Sequence, residues 1–426
     1  VGCGFVSQAF YDAIYLFSCG VRGNKPVLIH DIDVSKIYSL AMSQGIWQTT
    51  YLALKKLYDQ DELIVDKKIF DKWHQKIVIQ AIKATQRNKA VNDIVRVLEQ
   101  KGIKCCVLKG EVLAELYHNP ICRISSDTDI LIDKNLEKKT VNVLKQCLFE
   151  VEPRYPTSYH VCCYHSLAGV IELHLQLYDE LFEDVWFDKK TLNIEAYRQI
   201  KTSQGNYIST LGINDGLIFI TLHLIKHFLH KGVGIRQLMD VLLYMSYYKN
   251  KIDWDRYDKL LKYLKYDKFM NNAIGIGIDY LGFDKNELPK SKYNDNIMQK
   301  ILIDMEMGGI YGKNEVERGE FYKIYTKERF NRFKRGNYER YINSWMRPNI
   351  IKSIFPNRIN MITRYPCAKK YKLLLFIAWL HRLLNFILDV IKKKKNIKHY
   401  IEYQSPEAIN DIVKKRMDLI RELDMI

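Results

Sequence analysis

The stretch "CRISSDTDILID", Cys122 to Asp133, sets two aspartates one residue apart at the start of an apolar run. Side chains alternate between the two faces of a strand, so in a strand Asp127 and Asp129 point one way and Thr128 the other. Two ionised carboxylates on one face repel each other, and the arrangement becomes favourable when a cation lies between them. Hard cations such as Mg²⁺ are held by one or two carboxylates together with substrate phosphates. The stretch therefore predicts a strand built to hold a divalent ion beside a phosphate.

The flanking sequence supplies the rest of a sheet. "IKCCVLKG" (103–110) is a short apolar run ended by glycine, as expected of a buried strand, and "EVLAELYH" after it reads as a helix up to Pro120. A turn at Lys109-Gly110 followed by a helix start makes an anion site from free backbone N–H groups and the helix dipole, to which Lys109 adds a positive charge. "LEKKTVNVLKQCLF" (136–149) is the next helix, and "SYHVCCYH" with "GVIELHLQLY" reads as a strand pair turning at Ala168-Gly169. "VIELHL" places Glu172 and His174 on one face of an otherwise apolar strand. A buried charged glutamate there requires a partner, which a metal shared with the aspartate pair supplies.

Working outward, the helical period dominates on both sides. Residues 35–101 read as helices, with "DKWHQKIVIQAIKATQRNKAVNDIVRVLEQKG" (71–102) carrying apolar residues at helical spacing up to the stop at Gly102, and "GLIFITLHLIKHFLHKG" (216–232) follows Asn214 or Asp215 as a predicted cap. The expected division is a mainly helical region over 1–95, an α/β core over 96–212, a helical domain closing the cleft over 213–310, and a basic, mainly helical region over 311–426. The fold class is α+β, a small mixed sheet with flanking helices.

A chain of 426 residues, 47% hydrophobic and 27% charged, is long enough for two or three domains with a well-buried core. Its nine cysteines show neither a zinc spacing nor a disulfide framework, which points to a reducing cytoplasm. The chain opens with Val1 rather than methionine, which reads as a trimmed start, and its first thirty residues lack the pattern of a secretory signal. The run "LLLFIAWLHRLLNFILDVI" (373–391) is interrupted by His381, Arg382 and Asp389, so a membrane-spanning helix is not expected. A buried core helix is the first expectation there, and an interfacial helix at a membrane surface the second.

The charge is unevenly placed. Residues 321–400 carry twenty Lys and Arg against three acidic residues, which accounts for the whole net charge of +17. A basic segment on a neutral body predicts an anionic neighbour, whether nucleic acid, phospholipid or polyphosphate, or else an ordinary solvated surface. Aromatic residues interleave with the basic ones in "RFNRFKRGNYERY" (329–341), a pattern suited to stacking on bases and equally to helix packing.

"VLKGEVLAELYHNPICRISSDTDILI", then "IELHLQL", "LHLIKHFL" and "IRQLMDVLL", resemble in order the uncharacterised bacterial nucleotidyltransferases of the polymerase-beta-like superfamily, over roughly residues 70–245. The resemblance implies an α/β nucleotidyltransferase core in which a glycine turn before a helix holds the triphosphate of an NTP. It further implies that two strand carboxylates and a third from a later strand bind two Mg²⁺ or Mn²⁺ ions. Carried over, the turn is Lys109-Gly110, the pair is Asp127 and Asp129, and the third carboxylate is Glu172. The implied reaction transfers a nucleoside monophosphate to an acceptor hydroxyl on a small molecule, a protein or an RNA end, with release of pyrophosphate. One departure is the turn itself: Gly-Ser or Gly-Gly is usual, whereas Lys109 here precedes one glycine and Glu111 follows, so Glu111 is expected to point away along its helix.

Other residues carry paired expectations. Arg123 and Ser126 lie close enough to the aspartates to meet a phosphate, Arg123 alternatively making a surface salt bridge. His174 either orients the acceptor or is a satisfied core histidine. His223 and His227 stand one helical turn apart and either hold a metal or line the cleft, with Lys226 or Arg236 near the phosphates and Asp240 a partner for Arg236. The rival to an enzyme is a non-catalytic protein holding a nucleotide or polyanion on the same fold; three intact carboxylates argue for the enzyme.

Overall fold

Five strands form one mixed sheet in the order β1-β2-β5-β4-β3: β1 Cys106–Val107, β2 Asp127–Leu131, β3 Glu150–Val151, β4 His160–His165 and β5 Gly169–His174. The computed structural model describes residues 5–123, 125, 127–154, 159–177, 197–230, 232–308, 374–381, 384 and 415–425. β2 and β5 run parallel, and the other three pairings are antiparallel. A second two-stranded sheet, β6 Arg198–Lys201 with β7 Tyr207–Thr210, is joined to β1 by Thr210 Oγ1 donating to the Val107 carbonyl at 2.6 Å.

Strand alternation gives the five-stranded sheet two unlike faces. Ile130, Ile171, Leu173, Val161 and Cys163 share the apolar face and are buried. Val91, Ile94, Val95 and Leu98 pack into the same core. They lie along the last turns of α4, Lys67–Gln100, whose start is capped by Asp66 accepting from the Lys68 amide. The opposite face carries Asp127, Asp129, Glu172, His174, His160 and Cys162. Covering one face therefore leaves the polar face for chemistry.

Three further helices precede α4: α1 Gln8–Arg22, α2 Val34–Gln44 and α3 Trp47–Tyr58. α1 and α3 approach so closely that a Cβ on Gly20 would stand 1.9 Å from the Thr49 carbonyl oxygen, so only glycine fits. α1 lies in the mainly helical region expected over 1–95, ahead of the helical period that starts near residue 35, and α2 to α4 fall within that period. After Gly110 the chain makes only one helical turn, α5 Glu111–Ala114, and not a helix to Pro120. Tertiary bonds draw the chain off: the His118 amide donates to the Val21 carbonyl at 2.9 Å and the Tyr117 hydroxyl to Asp240 at 2.8 Å. The helix-dipole contribution expected at this turn is correspondingly small. α6, Glu137–Gln146, packs beside β3.

Helices α7 Ile213–His230, α8 Ile235–Tyr248, α9 Trp254–Leu264, α10 Asp267–Tyr280 and α11 Asp295–Gly308 follow. α7 begins ahead of both predicted caps. Asn214 instead accepts from the Asp253 amide at 2.8 Å, and Asp215 pairs with Arg256 at 2.7 Å. Their side chains tie α7 to the start of α9 and do not cap their own helix.

By packing, Val1–Arg318 with Leu419–Ile426 form one unit and Gly319–Asp418 a second. Within the second, 374–381 is helical with Ala378 buried, but Phe376, Ile377, Leu380 and Leu384 are exposed, so this stretch is not the buried core helix expected. The rest of the basic segment 321–400 lies outside the described residues. Among the described residues no helix is long and apolar enough to cross a membrane, and seven cysteines are free thiols.

Candidate active site

The like-charge problem of the opening stretch is answered across the β2–β5 ladder. Asp129 pairs in register with Glu172, and Leu131 with His174, so Asp127, Asp129, Glu172 and His174 share one face. Asp129 is 1% exposed. Its Oδ1 accepts from His174 Nε2 at 2.9 Å and its Oδ2 lies 3.1 Å from Lys109 Nζ. Lys109 Nζ is also 4.0 Å from Asp127 Oδ2, and His174 Nε2 is 3.7 Å from Glu172 Oε2. Three carboxylates are thus interleaved with an ammonium and an imidazole of the chain itself.

The electrostatics follow from this interleaving. Burial alone would raise the Asp129 carboxyl, but Lys109 and His174 outweigh it and hold it well below the usual carboxylate range. Burial also raises Glu172, while the nearby His174 ring and the charge of Lys109 bring it below its ordinary value. Burial pulls His174 down, and its hydrogen bond to Asp129 together with the nearby Glu172 carboxylate more than reverses this. For Lys109 burial is again opposed, here by Asp129, Asp127 and Glu172. Asp129 and Glu172 are therefore held in their ionised, ligand-competent form. Asp129, Glu172 and His174 each present a ligand atom within 4.8 Å of the others, and the oxygen-rich set with Asp127 beside it fits a hard divalent cation.

The turn that carries Lys109 is held from two sides. Gly110 has φ 74° and ψ −101°, a conformation glycine takes without strain. Arg123 is 9% exposed and grips Asp240 bidentately, Nε to Oδ1 at 2.9 Å and Nη2 to Oδ2 at 2.8 Å. Its Nη1 donates to the Gly110 carbonyl at 3.1 Å. Arg123 thus makes a buried salt bridge in place of the surface one considered, and it ties the turn to α8. Asp240 serves Arg123 and Tyr117 in this arrangement. Behind β2, Arg87 donates to the Ser125 carbonyl and, at 2.9 Å, to Thr128 Oγ1, which in turn donates to Glu111 Oε1 at 3.4 Å. Glu111 therefore lies beside Thr128, away from the aspartate face, and burial pushes its carboxyl up.

Helices α7 and α8 close the other side. His223 Nε2 is 3.1 Å from Lys109 Nζ and 3.0 Å from His227 Nε2. A pocket beside them is lined by Lys109, Asp127, Arg123, His223, His227 and Arg236. Burial, Lys109 and His227 all push His223 well below the usual histidine range, so it is neutral. The pair lines the cleft, and among the described residues neither histidine stands in a group of three or more ligand side chains that could hold a metal. Lys226 reaches across to the Tyr159 hydroxyl at 2.6 Å. Ser126 lies outside the described residues.

Arg87, Tyr117, His160 and Cys162 were missed in the sequence. The first two act through contacts distant in the chain. His160 and Cys162 were in principle visible, because the alternation in "HVCCYH" puts both on one face; which face it is depends on the pairing of Cys162 with Glu172.

No curated protein and no solved structure matches this chain. The family model described as "Uncharacterised nucleotidyltransferase" matches residues 30–277, more than half of the chain. That span contains the whole polar sheet face, the Gly110 turn and both helices of the cleft, and it extends past the motifs at each end: the chain belongs to this nucleotidyltransferase family.

Proposed function

We propose that the protein is a metal-dependent transferase that moves a nucleoside monophosphate from an NTP to an acceptor hydroxyl of a small molecule or protein, releasing pyrophosphate. The observation that carries this reading is the in-register pairing of Asp129 with Glu172, with Asp127 on the same sheet face and next to the cleft. Asp127, Asp129 and Glu172 are the proposed ligands of two Mg²⁺ or Mn²⁺ ions, which when bound supply charge neutralisation on the triphosphate and activation of the acceptor oxygen.

The chain's own residues have the following tasks. Lys109, at the junction of carboxylates and pocket, offers its ammonium to phosphate oxygens, and the Gly110 backbone allows close approach. Arg123 holds that turn through the Gly110 carbonyl. His174 orients Asp129 and Glu172, and neutral His223 holds Lys109 in place. Glu172 or an aspartate within reach takes the acceptor's proton. His227, Lys226, Arg236 and Ser126 are proposed to line the substrate cleft. A cytoplasmic setting and a polyanion contact through 321–400 belong to the same proposal.

The test is incubation of the whole protein with each labelled NTP, Mg²⁺ or Mn²⁺ and a cell extract, followed by fractionation. Label is expected in one acceptor fraction, lost with chelator and with Asp127→Asn. Tight NTP binding with no transfer under any condition would favour a non-catalytic nucleotide-binding protein, and label confined to RNA an RNA-directed transferase.

A further inference from the structure

The polar sheet face does not end at the carboxylates. On β4, next to β5, Cys162 pairs with Glu172 and His160 with His174, so both point to the same side as the proposed magnesium ligands. His160, Cys162 and Glu172 each present a ligand atom within 4.8 Å of the others, and all three are partly exposed, unlike Asp129 and His174. An ion can therefore reach this corner from solvent.

The donors differ in kind from those of Asp127 and Asp129. A thiol, an imidazole and a carboxylate form a sulfur-nitrogen-oxygen set, which Mg²⁺ does not select and a borderline transition ion does. Zinc bonds of about 2.0–2.3 Å set the ligand atoms of a tetrahedral site roughly 3.5 Å apart, within small side-chain adjustments of the spacing seen. Three protein ligands leave a fourth position for water or a substrate atom. On binding, the Cys162 S–H bond breaks, its proton passes to solvent, and the sulfur lone pair forms the metal bond, with no change in oxidation state.

We propose that His160, Cys162 and Glu172 form a second metal site selective for a zinc-class divalent ion. Because Glu172 belongs to both sites, an ion bound here also engages a carboxylate of the magnesium cluster. That coupling rests on the transferase reading, whereas the binding itself does not.

The test uses the full-length, reduced, metal-stripped protein titrated with Co²⁺, a spectroscopic stand-in for Zn²⁺. A thiolate-to-cobalt charge-transfer band is expected, displaced by Zn²⁺ and not by a large excess of Mg²⁺. Cys162→Ser should abolish the band and Cys147→Ser leave it intact. His160→Gln should weaken binding roughly tenfold or more, as losing even an outer-shell partner does. No band in the wild type, or a band that survives Cys162→Ser, overturns the site. Should Cys162→Ser not fold, unchanged cobalt affinity in His160→Gln overturns it equally. Loss of the site with Mg²⁺-dependent transfer intact leaves the transferase reading standing; the band without any transfer leaves the metal site standing.

Discussion

Asp129 on β2 and Glu172 on β5 stand opposite each other in a parallel ladder, and His174, two residues beyond Glu172, reaches back to Asp129 Oδ1 at 2.9 Å. The two carboxylates differ in depth: the Asp129 side chain is 1% exposed and the Glu172 side chain 26%. Their substitution should therefore separate activity from stability.

Glu172→Gln is expected to abolish transfer with little change in melting temperature, because Glu172 is partly solvated. Asp129→Asn should abolish transfer and also destabilise, by about 3 kcal/mol, since Lys109 and His174 lose their buried counter-charge. From the sequence alone, relief of repulsion would have made Asp129→Asn neutral or stabilising. Denaturation of both variants without metal decides this, and equal midpoints would contradict the buried-charge account.

Arg123 and Asp240 form a buried bidentate pair, with side chains 4% and 6% exposed. Removing one partner, as in Asp240→Asn, should cost about 3–5 kcal/mol because a guanidinium is left uncompensated. The double change Arg123→Met with Asp240→Leu should recover much of that loss. If urea unfolding gives the single and double variants the same stability, the pair is not the source of the cost.

Gly110→Ala tests the turn. A Cβ there meets nothing closer than 3.9 Å, so the cost comes from the backbone conformation and should be about 1–3 kcal/mol. NTP affinity should fall as well, because the turn carries Lys109. Calorimetric binding that is unchanged in a folded Gly110→Ala protein would remove the turn from the phosphate site.

His223 gives the pH dependence a sign. It is held well below its ordinary pKa in the folded protein. Below about pH 6.5 the unfolded chain therefore binds more protons than the folded one, and stability falls as pH falls. His174 is shifted up, so its contribution is complete below that pH and is lost as pH rises through its folded value. Between about pH 6.5 and 5, wild-type stability should drop more steeply than that of His223→Asn. Parallel profiles from denaturant titrations would show that His223 is not buried as a neutral group.

The alternation around Asp127 and Asp129, the glycine after Lys109 and the turn at Gly169 were readable locally, because strand period and backbone conformation depend on neighbours in the chain. So were the helical stretches of α2 to α4 and the placing of Glu172 and His174 on one strand face. The partners of the charges were not. Whether Lys109 meets phosphate or Asp129, and whether Arg123 pairs with Asp240 more than a hundred residues away, depends on which elements pack together and how deeply each charge is buried. Tertiary hydrogen bonds also ended α5 after one turn, where the local sequence favoured a longer helix, and strand pairing brought Cys162 beside Glu172. Sequence by itself determined the chemistry of the donors and the strand they stand on; the tertiary structure decided their charge balance, because Coulomb energies in a buried site depend on distance and desolvation, and neither is encoded in spacing.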